Sequence, residues 1–382
     1  MDVVIAAGGA AWEEPAIREV EASATLRLAR RCVDVADLLA LAHTGRAAAA
    51  IVSADLSGLD VDAVARLEGA GIVVAVIGPA TERARALGIR RVLRLGHLDE
   101  IVQEEPTHPT PETGRRAPLV AVWGPGGAPG RSTVALALAS SAAARGVDTV
   151  LVDADTHGGS LGQLLSVLDD VSGLVAACRA ANNGRPDEVV DHLLEVDPAL
   201  RLLTGLPRAD MWAQVRTSAM RGVLDELRGR CDLVVADVGA PIEPATGPGP
   251  SRHQTTLQVL EAADTVVVIG RPDPVGLSRL VRAVHDLAEA LPDVRPVVVV
   301  NQMRSSLGWH EREVRATVSR LTGVEPVMHL PHDQSGLDLA AVSGRSPREA
   351  APSSPFVARV EVLTSHVLDQ VVSPDALAGS TH

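Results

Sequence analysis

One stretch restricts the possible folds of this chain more than any other. The apolar run Leu119-Val120-Ala121-Val122 leads into Trp123-Gly124-Pro125-Gly126-Gly127-Ala128-Pro129-Gly130-Arg131-Ser132-Thr133, and an alanine- and leucine-rich run begins at Val134. This pattern predicts a buried strand, a glycine-rich turn and a helix. Small residues in such a turn let backbone N–H groups crowd around an anion, and the helix N-terminus adds its partial positive charge. The ending Gly130-Arg131-Ser132-Thr133 sets a hydroxyl where it can reach Mg²⁺, and a cation where phosphate loops usually carry lysine. The expected phosphate-binding residues are therefore Gly127, Ala128, Pro129, Gly130, Arg131, Ser132 and Thr133.

The chain has 382 residues, enough for two or three domains, and its 46% hydrophobic content is that of a globular protein. No apolar run is long enough to cross a bilayer, and the first residues lack the basic-then-apolar profile of a signal peptide, so the expected location is the cytoplasm. Cys32, Cys178 and Cys231 show no CxxC spacing, which argues against a zinc site or a disulfide framework. Lysine is absent from the whole sequence. Arg131 is thus explained as well by a chain-wide preference for arginine as by a selected change in the loop. The net charge of −13 disfavours tight non-specific binding to DNA.

Residues 1–102 alternate short strands and helices. Strands are expected at Val3–Ala6, Leu26–Leu28, Ala50–Val52, Val73–Ile77 and Arg91–Leu93, with helices at Ala11–Ala22, Val35–Ala42, Val61–Leu67 and Thr81–Leu87. Such a series implies a parallel sheet covered on both faces. The order resembles a receiver domain of the two-component type, a flavodoxin-type fold, with Asp55 standing where the phospho-acceptor would be. Ala6-Ala7-Gly8-Gly9 replaces the acidic pair that would hold Mg²⁺, and no lysine follows the fifth strand, so a pseudo-receiver with an unphosphorylated Asp55 is expected. Residues 103–118 are proline-rich and polar and read as a linker. A second domain is expected over 119–372, followed by a polar tail at 373–382. Within it, the proline- and glycine-rich segment from Pro241 to Gln254 has the composition of a lid or switch.

Three further elements of this second domain carry chemistry. The strand Asp148–Val152 ends in Asp153-Ala154-Asp155, two carboxylates at the sheet edge where such folds bind ligands; the plainer reading of Asp155 is a cap on the next turn. The strand Leu233-Val234-Val235-Ala236 ends in Asp237, the Walker B pattern of a carboxylate serving Mg²⁺. Val297–Val300 ends at Asn301, whose amide either faces a base edge or belongs to an ordinary turn. His329 and His332 have no third partner at zinc-site spacing.

Together these elements resemble the ParA/MinD superfamily of deviant-Walker P-loop ATPases across Leu119 to Val372. Within it they are similar to the CpaE/TadZ-like branch, including actinobacterial septum-site-determining proteins. Val-Asp-Ala-Asp-Thr at 152–156, Gly-Leu-Pro-Arg-Ala-Asp at 205–210 and Leu-Pro-His-Asp at 330–333 add to the likeness. The resemblance implies a P-loop NTPase-type, mostly parallel sheet with helices on both faces, and ATP with Mg²⁺ as ligands. By position it implies that Asp155 orients the attacking water, that Asp153, Asp237 and Ser132 serve the metal, and that Asn301 lies at the adenine. It also implies a nucleotide-dependent homodimer that recruits division or pilus/secretion proteins, drawn to membrane or pole by those partners. The main departure is Gly126, where the family's signature lysine would reach the partner's phosphates. Two readings follow: a slowly hydrolysing positional regulator of septum-site selection or Tad-type pilus assembly, or a non-hydrolysing scaffold with a vestigial loop. The final apolar stretch, Pro355–Val372, carries Arg359 against Glu361 and Asp369, which favours packing on the sheet over docking on anionic lipid.

Overall fold

A computed structural model describes residues 1–42, 45–78, 82–102, 116–167, 171–243 and 251–371. The chain divides into two compact units, one of Met1–Thr113 with Arg179–Glu188, the other of Gly114–Cys178 with Val189–His382. Most of the expected linker (103–115), part of the 241–254 segment (244–250), Thr81 and the tail beyond 371 lie outside the described residues.

The first unit alternates β1 (Asp2–Ala6), α1 (Glu13–Ala22), β2 (Arg27–Arg31), α2 (Val35–Ala42), β3 (Ala49–Val52), α3 (Val61–Gly69), β4 (Val73–Ile77), α4 (Glu82–Ala86) and β5 (Arg91–Leu93). Its five strands are ordered β2-β1-β3-β4-β5 and all pair in parallel, the flavodoxin-type arrangement. Side-chain alternation explains why both faces need cover. Val3 and Ile5 pack with Ala16 and Val20 of α1, whereas Val4 and Ala6 pack with Leu38 of α2 and Val64 and Leu67 of α3. Two boundaries differ from the expected ones. The helix α1 starts at Glu13, not Ala11, because a tight turn through Gly8 and Gly9, both at positive φ, consumes the preceding residues. The strand β2 reaches Arg31 because pairing with β1 sets its length, and its arginines line the sheet's edge. Asp55 is exposed and lies 3.8 Å from the Arg83 guanidinium.

The second unit is built on β6 (Leu119–Trp123), β7 (Thr149–Ala154), β8 (Leu194–Asp197), β9 (Leu200–Leu203), β10 (Leu233–Val238), β11 (Thr265–Gly270), β12 (Val297–Met303) and β13 (Val327–Pro331). Its helices are α5 (Arg131–Ala143), α6 (Leu161–Leu164), α7 (Gly173–Asn182), α8 (Thr217–Arg228), α9 (Gln254–Ala262), α10 (Pro274–Ala290), α11 (Glu311–Thr322), α12 (Gln334–Ser343), α13 (Pro347–Ala350) and α14 (Pro355–Val371). The eight strands are ordered β13-β12-β11-β6-β10-β7-β9-β8, and only the β8–β9 pair is antiparallel. Valine-, leucine- and alanine-rich strands without alternation suit such a sheet, since both faces are buried.

On one face, Val120, Val122, Leu151, Val235 and Val267 meet α5, which is buried nearly all round, and Phe356, Val360, Leu363 and Val367 of α14 close the layer. The last helix is therefore core, as its charge pattern predicted. Helices α8, α9 and α10 pack on the sheet with Val223, Leu260 and Leu280 buried. Ala117, inside the stretch read as linker, is buried; its N–H donates to Arg228 O and its carbonyl accepts from Arg228 Nε. The chain order reverses at β6, which lies between β10 and β11, so a crevice opens at the carboxyl ends of these three strands.

Candidate functional site

The loop leaving β6 has the backbone that its composition predicts. Gly127, Ala128 and Gly130 stand at φ of 114°, 54° and 92°, and Gly130 is the residue preceding α5. A Cβ on Gly124 would lie 2.2 Å from the Ile269 carbonyl oxygen, so only glycine lets the loop leave the sheet beside β11. Among the described residues, no side chain caps the N-terminus of α5. The N–H groups of its first turn have no intrahelical acceptor, and together with the helix dipole they form an anion site.

Two carboxylates sit beside this helix start. Asp237 on β10 pairs in register with Val122 on one side and Asp153 on the other, so both aspartates lie at one level of the sheet, on the face of α5. Their surroundings differ. Asp153 is spent locally: its carboxylate accepts from the Leu161 N–H at 3.0 Å and the Asp155 N–H at 3.4 Å, and Gly159 and Gly205 press against it where any Cβ would clash. Burial, with the nearby Asp155 charge, moves its pKa to about 7. Asp237 is fully buried; the Ser132 hydroxyl lies beside it, but among the described residues neither carboxylate oxygen receives a well-aligned hydrogen bond. The Ser132 hydroxyl and the Arg131 charge lie close enough to favour its ionised form, yet burial and the neighbouring Asp153 hold its pKa well above the usual carboxylate range. A buried carboxylate without a partner is costly.

Asp155 follows β7 and plays the plainer of its two expected parts, capping its turn: its Oδ1 accepts from the His157 N–H at 2.8 Å and the Gly158 N–H at 3.2 Å. Its Oδ2 faces Arg131 Nη2 at 3.4 Å. The Arg131 guanidinium also donates to the carbonyls of Val238, Gly124 and Pro125 at 3.2–3.3 Å. Asn301 is buried, with its Nδ2 donating to Pro129 O at 2.9 Å, which ties its side chain to the loop. Ser132 and Thr133, half-buried, occupy the first turn of α5. Near the sheet's end, Asp333 caps α12 through the Gly336 N–H.

Several residues around the loop carried no sequence signal for a role. Arg279 Nη1 donates to Gly126 O, Arg271 Nη1 to Gly127 O, and Gln302 Nε2 to Ala128 O. Trp123, buried at the end of β6, donates from Nε1 to Ala240 O just beyond β10. Arg252 grips the Thr156 carbonyl with both Nε and Nη2, tying the segment after β7 to the one before α9. Nothing in one dimension marks Arg271, Arg279, Gln302 or Arg252 for such roles.

The loop amides fit an anion, and the orphaned Asp237 carboxylate beside the Ser132 hydroxyl fits a hard divalent cation that takes oxygen ligands. Among the described residues, no cluster of three histidine, cysteine or acidic side chains forms a metal site independent of a bound ligand.

The loop and sheet define the fold, a mostly parallel α/β sheet with helices on both faces, and solved structures of ParA and MinD proteins share it. A ParA family ATPase from Chlorobium tepidum matches with a TM-score of 0.55 at 17% identity, over 66% of this chain and 100% of its own. The septum site-determining protein MinD of Pyrococcus horikoshii, solved with Mg-ADP, matches with a TM-score of 0.53 at 17% identity, over 69% of this chain and 98% of its own. A chain of the MinC:MinD cell division protein complex of Aquifex aeolicus matches at 0.52 and 15% identity, over 66% of this chain and 96% of its own. No family model and no curated protein matches the sequence. The shared fold is thus visible in three dimensions at identities too low for sequence comparison.

Proposed function

We propose that the chain is an ATP-binding positional regulator of the ParA/MinD superfamily, in its CpaE/TadZ-like branch. It acts as a nucleotide-dependent dimer with a pseudo-receiver domain at the front (1–102), a linker (103–118) and the P-loop domain (119–372). The process served is septum-site selection or the assembly of a Tad-type pilus or secretion machine, with recruitment to membrane or pole by partner proteins. One observation carries the reading: the uncapped start of α5 and the unpartnered Asp237 carboxylate converge at the carboxyl end of β6 and β10. An anion bound to the first and a cation bound to the second would form a metal–phosphate pair.

The residues divide the work accordingly. Backbone N–H groups of the loop and of Arg131, Ser132 and Thr133 bind the phosphates, and Ser132 and Asp237 hold Mg²⁺. The bound ion, when present, neutralises phosphate charge. Asp153 fixes the turn that carries Asp155, and Asp155 orients water once Arg131 turns to the phosphates. Asn301 steadies the loop from the adenine side. The segments after Asp155 and Asp237, joined by Arg252, are the elements a partner protein reads.

Titration of purified protein with ATP and magnesium, followed by thermal shift, tests this. Ligand bound only to the native state raises the melting temperature. The expected result is a saturable shift that disappears when Ser132→Ala is combined with Asp237→Ala; a shift unchanged in the double variant would refute the site. The scaffold reading is favoured by one contact, the engagement of Asp155 by Arg131. Absence of both ATP binding and phosphate release in the purified protein at high magnesium would support the scaffold.

A further inference from the structure

Six successive carbonyls of the phosphate loop, from Gly124 to Pro129, each accept a hydrogen bond from a side chain. Arg131 serves Gly124 and Pro125, Arg279 serves Gly126, Arg271 serves Gly127, Gln302 serves Ala128 and Asn301 serves Pro129. In the four of these peptides that carry an N–H, those of Gly126, Gly127, Ala128 and Gly130, a carbonyl drawn outward leaves the N–H directed the other way; the Gly124 and Ala128 carbonyls precede proline, so their donors only hold the backbone. A donor on a peptide carbonyl also polarises the N–H of the same peptide: Arg279 acts on the Gly127 N–H and Arg271 on the Ala128 N–H. Two guanidinium charges therefore reach the loop from outside, through its peptide bonds.

The supporting elements are bent to this purpose. Gln302 holds φ of 63°, a left-handed conformation unusual for a side chain of its size, and the β12–β13 register breaks between Val300 and Met303. That irregularity sets the amides of Asn301 and Gln302 against consecutive loop carbonyls. Asp273 caps α10 with Oδ1 and places Oδ2 3.1 Å from Arg271 Nε, an ion contact that aims the guanidinium. Arg279 Nη1 lies 2.3 Å from where a Gly127 Cβ would stand, so its position requires glycine there.

We infer that Arg271, Arg279 and Gln302 are positioning residues for phosphate: an outer belt of donors that holds the loop open as an anion nest and supplies from α10 and its approach the positive charge that Gly126 lacks. This rests on the phosphate site proposed above.

Gln302→Gly gives the most discriminating test, because it removes the donor while relieving the positive φ. The unliganded variant is expected to melt above the wild type, as glycine adopts this backbone freely. Its affinity for ATP is nonetheless expected to fall by about tenfold, the worth of one lost hydrogen bond that holds the loop backbone in place. Arg279→Met and Arg271→Met are expected to lose about as much each. The same losses should appear with inorganic tripolyphosphate as the probe, because the belt acts on the phosphate side. Wild-type ATP affinity in all three variants would overturn the inference while leaving the site intact. A loss confined to ATP and absent for tripolyphosphate would also overturn it, by moving these residues to the base. No saturable shift with either probe in the wild-type protein would remove the site and the belt together.

Discussion

The Arg131 Nη2 atom lies 3.4 Å from Asp155 Oδ2, joining the loop's only cation to the aspartate that we propose orients water. Both side chains are largely shielded, 15% and 6% exposed, so the pair is less screened than a surface ion pair. While it lasts, neither residue is available to phosphate or water.

Arg131→Lys should loosen this arrangement. A guanidinium spans Asp155 and the carbonyls of Gly124, Pro125 and Val238 at once, and an ammonium cannot. The unliganded protein is expected to lose about 1 kcal/mol in denaturant titrations. Its stabilisation by saturating ATP and magnesium is expected to exceed that of wild type, since fewer contacts must break. A smaller ATP-dependent shift than wild type would contradict this.

Restoring the missing lysine is sterically open. Gly126 does not have positive φ, and a Cβ there meets nothing within 4 Å. Gly126→Lys should fold with wild-type stability, within about 0.5 kcal/mol. If the chain dimerises through its nucleotide face, phosphate release by the variant should rise with protein concentration more steeply than that of wild type. A steady-state phosphate assay across a concentration series decides this.

Asp237→Asn removes a buried carboxylate that has no hydrogen-bond partner. In the absence of ligand the variant should be at least as stable as wild type, because burial and Asp153 already disfavour the ionised carboxylate and the amide carries no charge. Magnesium-dependent stabilisation in the presence of ATP should disappear at the same time. Melting curves with and without magnesium supply both readings; a destabilised variant that kept its magnesium response would be inconsistent with a cation role.

Acid should weaken the second unit through His329. This residue on β13 is 5% exposed, and among the described residues neither ring nitrogen has a hydrogen-bond partner. Burial lowers its pKa from 6.5; Arg315 and Arg359 reinforce the shift and Glu311 opposes it. Below pH 6.5 the unfolded chain takes up a proton that the folded chain refuses. The stabilising contribution, complete above pH 6.5, is therefore lost as pH falls through the folded value. His329→Leu should raise stability at pH 5.5 more than at pH 7.5 in urea titrations. A residual slope is expected from His157, whose pKa burial and Arg252 also lower.

Local sequence was sufficient for whatever depends on neighbours along the chain. The strand–loop–helix at 119–143 was legible because only small residues can take its φ angles and because unbroken apolar runs mark buried parallel strands. The five βα steps before residue 102 were legible for the same reason, and so was the burial of α14, through its apolar face. What the sequence did not show was how the turn after β7 engages Asp153: β7 runs through Asp153 to Ala154, and the turn beyond it draws the Asp153 carboxylate into backbone bonds.

Contacts across the sheet were not written in the order of residues. Arg271, Arg279 and Gln302 come from segments more than a hundred positions beyond the loop, and only the packing of β11, β12 and α10 beside β6 brings their donors to its carbonyls. Likewise, Asp237 is left without a partner only because register pairing sets it between Val122 and an already committed Asp153. Backbone conformation follows from sterics within a few residues, and so the sequence by itself determined the cradle. Hydrogen-bond partners and desolvation depend on which distant segments the fold brings together, and so tertiary structure alone decided how that cradle is charged and braced.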